Sequence, residues 1–202
     1  NSLIIASVVT ISNVAVGALG GYGLARLRGG DLLSLLFLLA KMLPPTVLIL
    51  PFFLIVRRLG LSDTHLGLIL VYTALNLPFC VWMARGYFLD LPREIEEAAM
   101  IDGCSRLRSL LAIVAPLAFP GLVAIAILVF VFSWNEFMFG MILTSQKART
   151  LPVAASLFIT DEAILWGPMT ATAVLIMVVP MLITLVAQKY IVGGLISGSL
   201  KG

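Results

Sequence analysis

The sequence predicts an all-α, polytopic membrane-helix bundle, with five spans in a single transmembrane domain over residues 1–202. Three observations predict it. Of 202 residues, 61% are hydrophobic and only 11% charged, against roughly 45–50% and about 25% in soluble domains. Mean hydropathy is +1.12, more apolar surface than a chain this size can hide behind a polar exterior. The apolar residues also come in runs near the ~20 needed to cross a bilayer as helix, without the ~10-residue alternating segments of a barrel. The formal charge of +3 is divided by loop, which points to membrane orientation and not to nucleic acid.

The first span runs from Ser2 to Ala25 and carries Gly17 and Gly21 as G-x-x-x-G, with Gly20 and Gly23 beside them. Such a small-residue face serves close packing, either within the bundle or between subunits. The second runs from Leu32 to Val56 and holds Lys41 just before Pro44, Pro45 and Pro51. Prolines here free carbonyls that must face protein or water, and a charge inside the bilayer demands a partner. Lys41 is therefore either buried against a partner subunit or lines a path. The third span, Leu66 to Ala84, places Tyr72 and Asn76 one helical turn apart. The fourth, from about Leu117 to Leu143, has Trp134, Asn135 and Glu136 towards its outer end, and the fifth runs from about Pro168 to Ala187. An aromatic face beside an amide and a carboxylate suits a sugar, stacking on its C–H face and bonding its hydroxyls. The alternative for these polar residues is inter-helix hydrogen bonding.

Lys and Arg set the orientation. Arg26, Arg28, Arg85, Arg93, Arg106, Arg108, Lys189 and Lys201 fall on one side, and Arg57, Arg58, Lys147 and Arg149 on the other. The richer side is expected to be cytoplasmic, which puts the Arg85–Ala115 loop and the C-terminus inside and Asn1 outside. A start at the outer lip of a span, without Met, suggests that a first span precedes this sequence. Cys80 lies in a span and Cys104 in the inside loop, so the two are not expected to pair. His65 reads as an outside surface residue.

The inside loop concentrates the charges. Pro92 suits a first helical position, with Glu94, Glu96 and Glu97 in the first turns where the helix dipole favours acids. Gly103 is a natural stop, Ser105 a cap for a second short helix, and Pro116 its end before the fourth span. Ile95, Ala98, Ala99 and Asp102 share one helical face. Small alanines flanked by carboxylates fit docking of another protein's basic surface. The alternative is an interfacial helix on lipid headgroups, although acids instead of Lys and Arg crowd its polar face.

The run Glu97-Ala98-Ala99, three residues, Gly103, nine residues, Ile113, and Pro116 three further on resembles the EAA loop of ABC-importer permease subunits. Ala115 stands where that family usually has leucine. M-L-P-P at Met42–Pro45, R-R-L-G-L-S-D-T at Arg57–Thr64, R-G-Y-F at Arg85–Phe88, S-W-N-E-F at Ser133–Phe137, R-T-L-P at Arg149–Pro152 and the ending G-L-I-S-G-S-L-K-G extend the likeness along the chain. They resemble the carbohydrate-importer, maltose-permease-like branch. The resemblance implies the type I permease fold with its first span missing here. It also implies a loop seated in a cytoplasmic ATPase, with Glu97 paired to a basic residue there. Gly103 would then supply the bend, and Ile113 and Pro116 would fasten the second helix. The implied partners are two ATPase subunits, a second and non-identical permease, and an extracytoplasmic solute-binding protein. ATP and Mg would belong to the ATPase, because this sequence has no G-x-x-x-x-G-K-[ST] loop and no nucleophile or metal cluster for an enzyme. An ion-coupled secondary transporter using Glu136 is the competing reading, and it leaves the acidic inside loop without a role.

Overall fold

The computed structural model describes residues 1–199, with side chains through Val186 and that of Gln188. The Lys189 side chain, Lys201 and the last three residues of the G-L-I-S-G-S-L-K-G ending lie outside the described part. Helices dominate, and among the described residues the only extended pairing is an isolated antiparallel bridge, Ile159 to Ile164.

Helix α1 (Ser2–Arg26) is the first span as expected. Gly29 in the left-handed region (φ 81°) turns the chain into α2 (Gly30–Met42), and α3 (Pro45–Arg58) follows. The second span is thus not one helix. Pro44 is extended (ψ 126°) because a residue before proline is driven out of the α region. Pro45 then starts α3, and the two halves meet at 88°. Helix α4 (His65–Leu89) is the third span, longer than expected at its far end, and Thr64 caps it by accepting the Gly67 amide at 3.1 Å.

The inside loop forms α5 (Arg93–Ile101), α6 (Arg106–Ser109), a π-helical turn over Leu110–Val114, and α7 (Ala115–Leu117). After a 78° turn at Ala118, α8 (Phe119–Trp134) is the fourth span. It ends nine residues before Leu143; Asn135–Phe137 leave the helix, and α9 (Met138–Leu143) and α10 (Leu151–Ser156) are short. Helix α11 (Trp166–Ser199) is the fifth span. Among the described residues, three helices are thus long and apolar enough to cross a membrane, and five spans result when each bent pair counts once.

Helix α1 is the hub, packed along α4 and also touching α8, while α11 lies outside against α8 and α10. The glycine stripe explains the hub. A Cβ on Gly17 would lie 2.6 Å from the Cβ of Cys80, and one on Gly21 would lie 2.7 Å from both the Ala84 Cβ and the Arg85 amide nitrogen. The G-x-x-x-G pair is therefore a contact within this chain. Gly23 faces open space and does not extend it.

At the end of the bundle away from α5, Asp63 ties two loops together. Its backbone is left-handed (φ 54°), and its carboxylate accepts the amides of Ser145, Gln146, Lys147 and Ala148 at 2.9–3.2 Å and the Ser145 hydroxyl at 2.8 Å. The Ser145 amide, then those of Lys147 and Ala148, hold this carboxyl far below the ordinary carboxylate range. Because the folded-state value is depressed, the stabilisation is complete above the unfolded value of about 3.9 and is lost as pH falls below it. Hydrogen exchange in detergent should therefore show amides 145–148 protected at pH 7, losing protection in acid, and unprotected at both in Asp63→Asn. Equal protection in the variant at pH 7 would refute the latch.

Candidate coupling helix and membrane cavity

Pro92 precedes α5 as its cap (φ −57°, ψ 133°), one position earlier than the sequence suggests. Gly103 ends the helix in the left-handed region (φ 85°), where the Gly103 amide reaches the Met100 carbonyl at 3.1 Å and the Cys104 amide the Ala99 carbonyl at 3.0 Å. A residue with a Cβ is strained there. Ser105 then accepts the Arg108 amide at 3.3 Å and starts α6. The helix, bend and second helix expected of the loop are all present. Pro116 does not end the second helix; it sits exposed inside α7, and the turn falls at Ala118. Ile113 is half-buried, whereas Leu110, Val114 and Ala118 are the residues that enter the core. The anchoring implied for Ile113 and Pro116 is thus made by their neighbours.

The two faces of α5 also differ from the expectation. Glu94, Ile95, Glu97, Ala98 and Asp102 are exposed, while Glu96 and Ala99, three apart, turn into the bundle. Ala99 is therefore a packing residue. Glu96 is no docking carboxylate either: it accepts Arg26 Nε at 2.8 Å, a second guanidinium nitrogen of Arg26, and the Tyr22 hydroxyl at 2.8 Å. Burial opposes its charge, but the Arg26 and Tyr22 hydrogen bonds outweigh burial and hold its carboxyl below the ordinary range. Arg26 reaches further, to the Phe88 carbonyl at 3.1 Å, and Arg93 donates to the Ala25 carbonyl at 3.3 Å. Sequence reasoning used Arg26 only as an orienting charge and passed over Tyr22. The available signal was their i, i+4 spacing at the end of a span, which puts a phenol and a guanidinium on one face.

Within the membrane region, a cavity of about 510 Å³ opens between α2, α3, α4, α8 and α9. Tyr72, Asn76, Asn135 and Glu136 all line it, and Lys41 joins them. The sequence separated these residues by up to 95 positions; the bend between α2 and α3 brings Lys41 across to α4. Its ammonium donates to the Leu75 carbonyl at 3.2 Å and Asn76 Oδ1 at 3.3 Å, and sits 5.4 Å from the centre of the Phe132 ring. These partners are in its own chain, so no second subunit is needed to satisfy it. Asn76 also donates to the Tyr72 carbonyl at 2.9 Å, and Asn135 to Val131 at 2.9 Å.

Trp134 does not line the cavity. It is buried, stacked on Phe130 with ring centres 5.7 Å apart, and its indole donates to the Ile176 carbonyl of α11 at 3.0 Å. An aromatic at that phase of α8 faces α11, so it fastens the peripheral span and stands apart from the cavity that holds Asn135 and Glu136. Glu136 accepts the amides of Phe139 at 2.9 Å and Gly140 at 3.1 Å. Both oxygens thus hold the start of α9.

Residues 13–196 match the family of binding-protein-dependent transport system inner membrane components. The chain belongs to that family. This permease is 40% identical over its whole length to the trehalose/maltose transport system permease protein MalG of Thermococcus litoralis, covering 74% of that protein. It is 38% identical, again over its whole length, to the trehalose transport system permease protein SugB of Mycobacterium tuberculosis, covering 76% of it. In fold it is similar to a chain of the MetNI methionine ABC transporter, with a TM-score of 0.78 over 95% of this chain and 92% of that one, at 19% identity. A bacterial ABC transporter importing the acidic polysaccharide alginate gives a TM-score of 0.64, at 25% identity over 94% of this permease and 75% of that chain. The permease is thus a multi-pass membrane protein of the ABC-importer fold.

Proposed function

We propose that this permease conducts a sugar or sugar-like solute by alternating access, driven by ATP hydrolysed on separate subunits. In this reading α5 faces the cytoplasm, as the Lys and Arg distribution suggests, and the opposite end receives solute from an extracytoplasmic binding protein. Two ATPase subunits carry ATP and Mg, and a second, non-identical permease completes the pathway. The observation that carries the reading is the exposed face of α5, where Glu94, Glu97 and Asp102 flank Ala98 beside the left-handed Gly103. A small residue lets a partner's surface approach the backbone, and the carboxylates supply charge-assisted hydrogen bonds to its basic groups. The cavity supports the solute class: Asn76, Asn135 and Tyr72 give amide and phenol groups within an apolar wall of Leu, Pro and Phe side chains. The relatives named for trehalose and maltose support it as well.

Detergent co-purification of the permease pair with its ATPase, followed by uptake into vesicles, tests both parts. Glu97→Ala is expected to insert normally and lose most of the bound ATPase. Asn135→Ala is expected to keep the ATPase while sugar uptake falls about tenfold, the order of one lost hydrogen bond. Full ATPase retention in Glu97→Ala would move the docking surface elsewhere, and unchanged uptake in Asn135→Ala would remove the cavity from the path.

A further inference from the structure

The cluster of Tyr22, Arg26 and Glu96 joins α1, remote in the chain, to α4 and α5, which only Asp90–Pro92 separate. Tyr22 and Arg26 are one turn apart at the end of α1, Glu96 is in the first turn of α5, and the Phe88 carbonyl is at the end of α4. The side chains of Arg26 and Glu96 are only 10% and 8% exposed. Tyr22 also meets Phe88 edge-on at 5.7 Å, and Arg93 returns from α5 to the Ala25 carbonyl. Glu96 and Arg93 thus tie α5 to the end of α1, and Arg26 and Tyr22 tie that end in turn to Phe88 of α4. By contrast, the chain links α5 to α4 through only Asp90–Pro92 but leads to α8 through Gly103, the four-residue α6, a π turn and the 78° corner at Ala118, and neither path leads to α1. Motion of α5 that followed only the chain would pass through four changes of backbone geometry before reaching α8.

We propose that Arg26 and Glu96 are positioning residues that transmit movement of α5 directly to α1, in parallel with the chain links to α4 through Asp90–Pro92 and to α8 through Gly103. The inference rests on α5 being the ATPase-docking helix. Buried ion pairs have two alternative fates on truncation: they leave an unpaired charge, or they let the two elements part. Glu96 has the geometry to prevent parting, since both of its oxygens are occupied, one by the guanidinium and the other by the phenol. Glu97 borders the same small cavity of about 140 Å³, but the cluster's hydrogen bonds to α5 go to Glu96 and not to Glu97, so docking and transmission are separable on one helix.

The separation supplies the test. In the assembled transporter, reconstituted in vesicles, three quantities are read for each variant: bound ATPase, ATP hydrolysed, and solute taken up per ATP. Glu96→Gln keeps the shape and removes the charge. It is expected to retain the ATPase and its hydrolysis while uptake per ATP falls about tenfold, the order of one lost charge-assisted hydrogen bond. Tyr22→Phe removes a single hydroxyl without leaving a charge unpaired, and is expected to lower the same ratio less, about threefold; it serves where Glu96→Gln fails to assemble. Arg26→Lys, which keeps the charge but not the two-pronged contact, should fall between them. An unchanged ratio in Glu96→Gln and Tyr22→Phe overturns the proposal, and so does loss of the ATPase to the extent seen in Glu97→Ala. Failure of the docking reading looks different: the ATPase would then stay bound in Glu97→Ala as well.

Discussion

Replacing Gly21 by leucine is expected to unfold the bundle at the α1–α4 contact and lower its apparent melting temperature in detergent by roughly 6–12 °C. Forcing methylenes into a packed core costs about 1–3 kcal/mol, and in a chain of this size each kcal/mol shifts the midpoint by about 2–4 °C. The upper end applies because a Cβ at Gly21 meets the Arg85 amide nitrogen at 2.7 Å and the Ala84 carbonyl carbon at 3.0 Å. Backbone cannot rotate away as a flexible side chain would. Gly23→Leu is the control: nothing lies within 4 Å of its Cβ position, two residues along the same helix, and its melting temperature should stay within about 2 °C of wild type, as surface changes do. A similar loss in both variants would mean that leucine is poorly tolerated along α1 generally and that the α4 contact is not special.

Gly103→Pro is expected to abolish ATP-driven uptake while leaving membrane insertion intact. Gly103 has φ 85° and donates its amide to Met100. Proline holds φ near −65° and has no amide to give, so the chain would leave α5 in another direction and carry its exposed carboxylates away from their place. Gly103→Asn is the gentler probe. Asparagine visits the left-handed region more readily than other residues, which pay about 1–2 kcal/mol for it, so uptake should persist at a reduced level. Near-normal transport by the proline variant would show that the bend after α5 has no part in coupling.

The spans were legible because hydropathy is a sum over twenty residues and does not depend on where any one side chain points. The loop was legible for a different reason: Gly103 and Ser105 act on their own backbone, and local chemistry carries over to the fold. What failed was phase. Glu94, Glu96 and Glu97 occupy different sides of one short helix, and only the position of Arg26 on a distant span decides that Glu96 turns inward. Trp134 failed likewise. Its neighbours in sequence promised a sugar site, but α11 took its indole. The proline pair at Pro44 and Pro45 announced a break in the second span, yet a break has no inherent angle. The 88° found here is what lets Lys41 reach Asn76, and with it the polar cavity forms.

The contact at Gly17 and Gly21 lies well off-centre on α1. Taking Leu19 as its middle, about 25 Å of helix runs to Ser2 and only about 10 Å to Arg26, at 1.5 Å per residue. Both extremities are fastened: Ser2 accepts the Leu151 amide at 2.6 Å, and Asn1 donates to the Lys147 and Arg149 carbonyls, while Arg26 grips α5. A rigid rod turning about those glycines has unequal arms. Each ångström imposed where Arg26 is held becomes about two and a half at the opposite mouth of the bundle, so the placing of two glycines along one helix sets a gear ratio between its two ends.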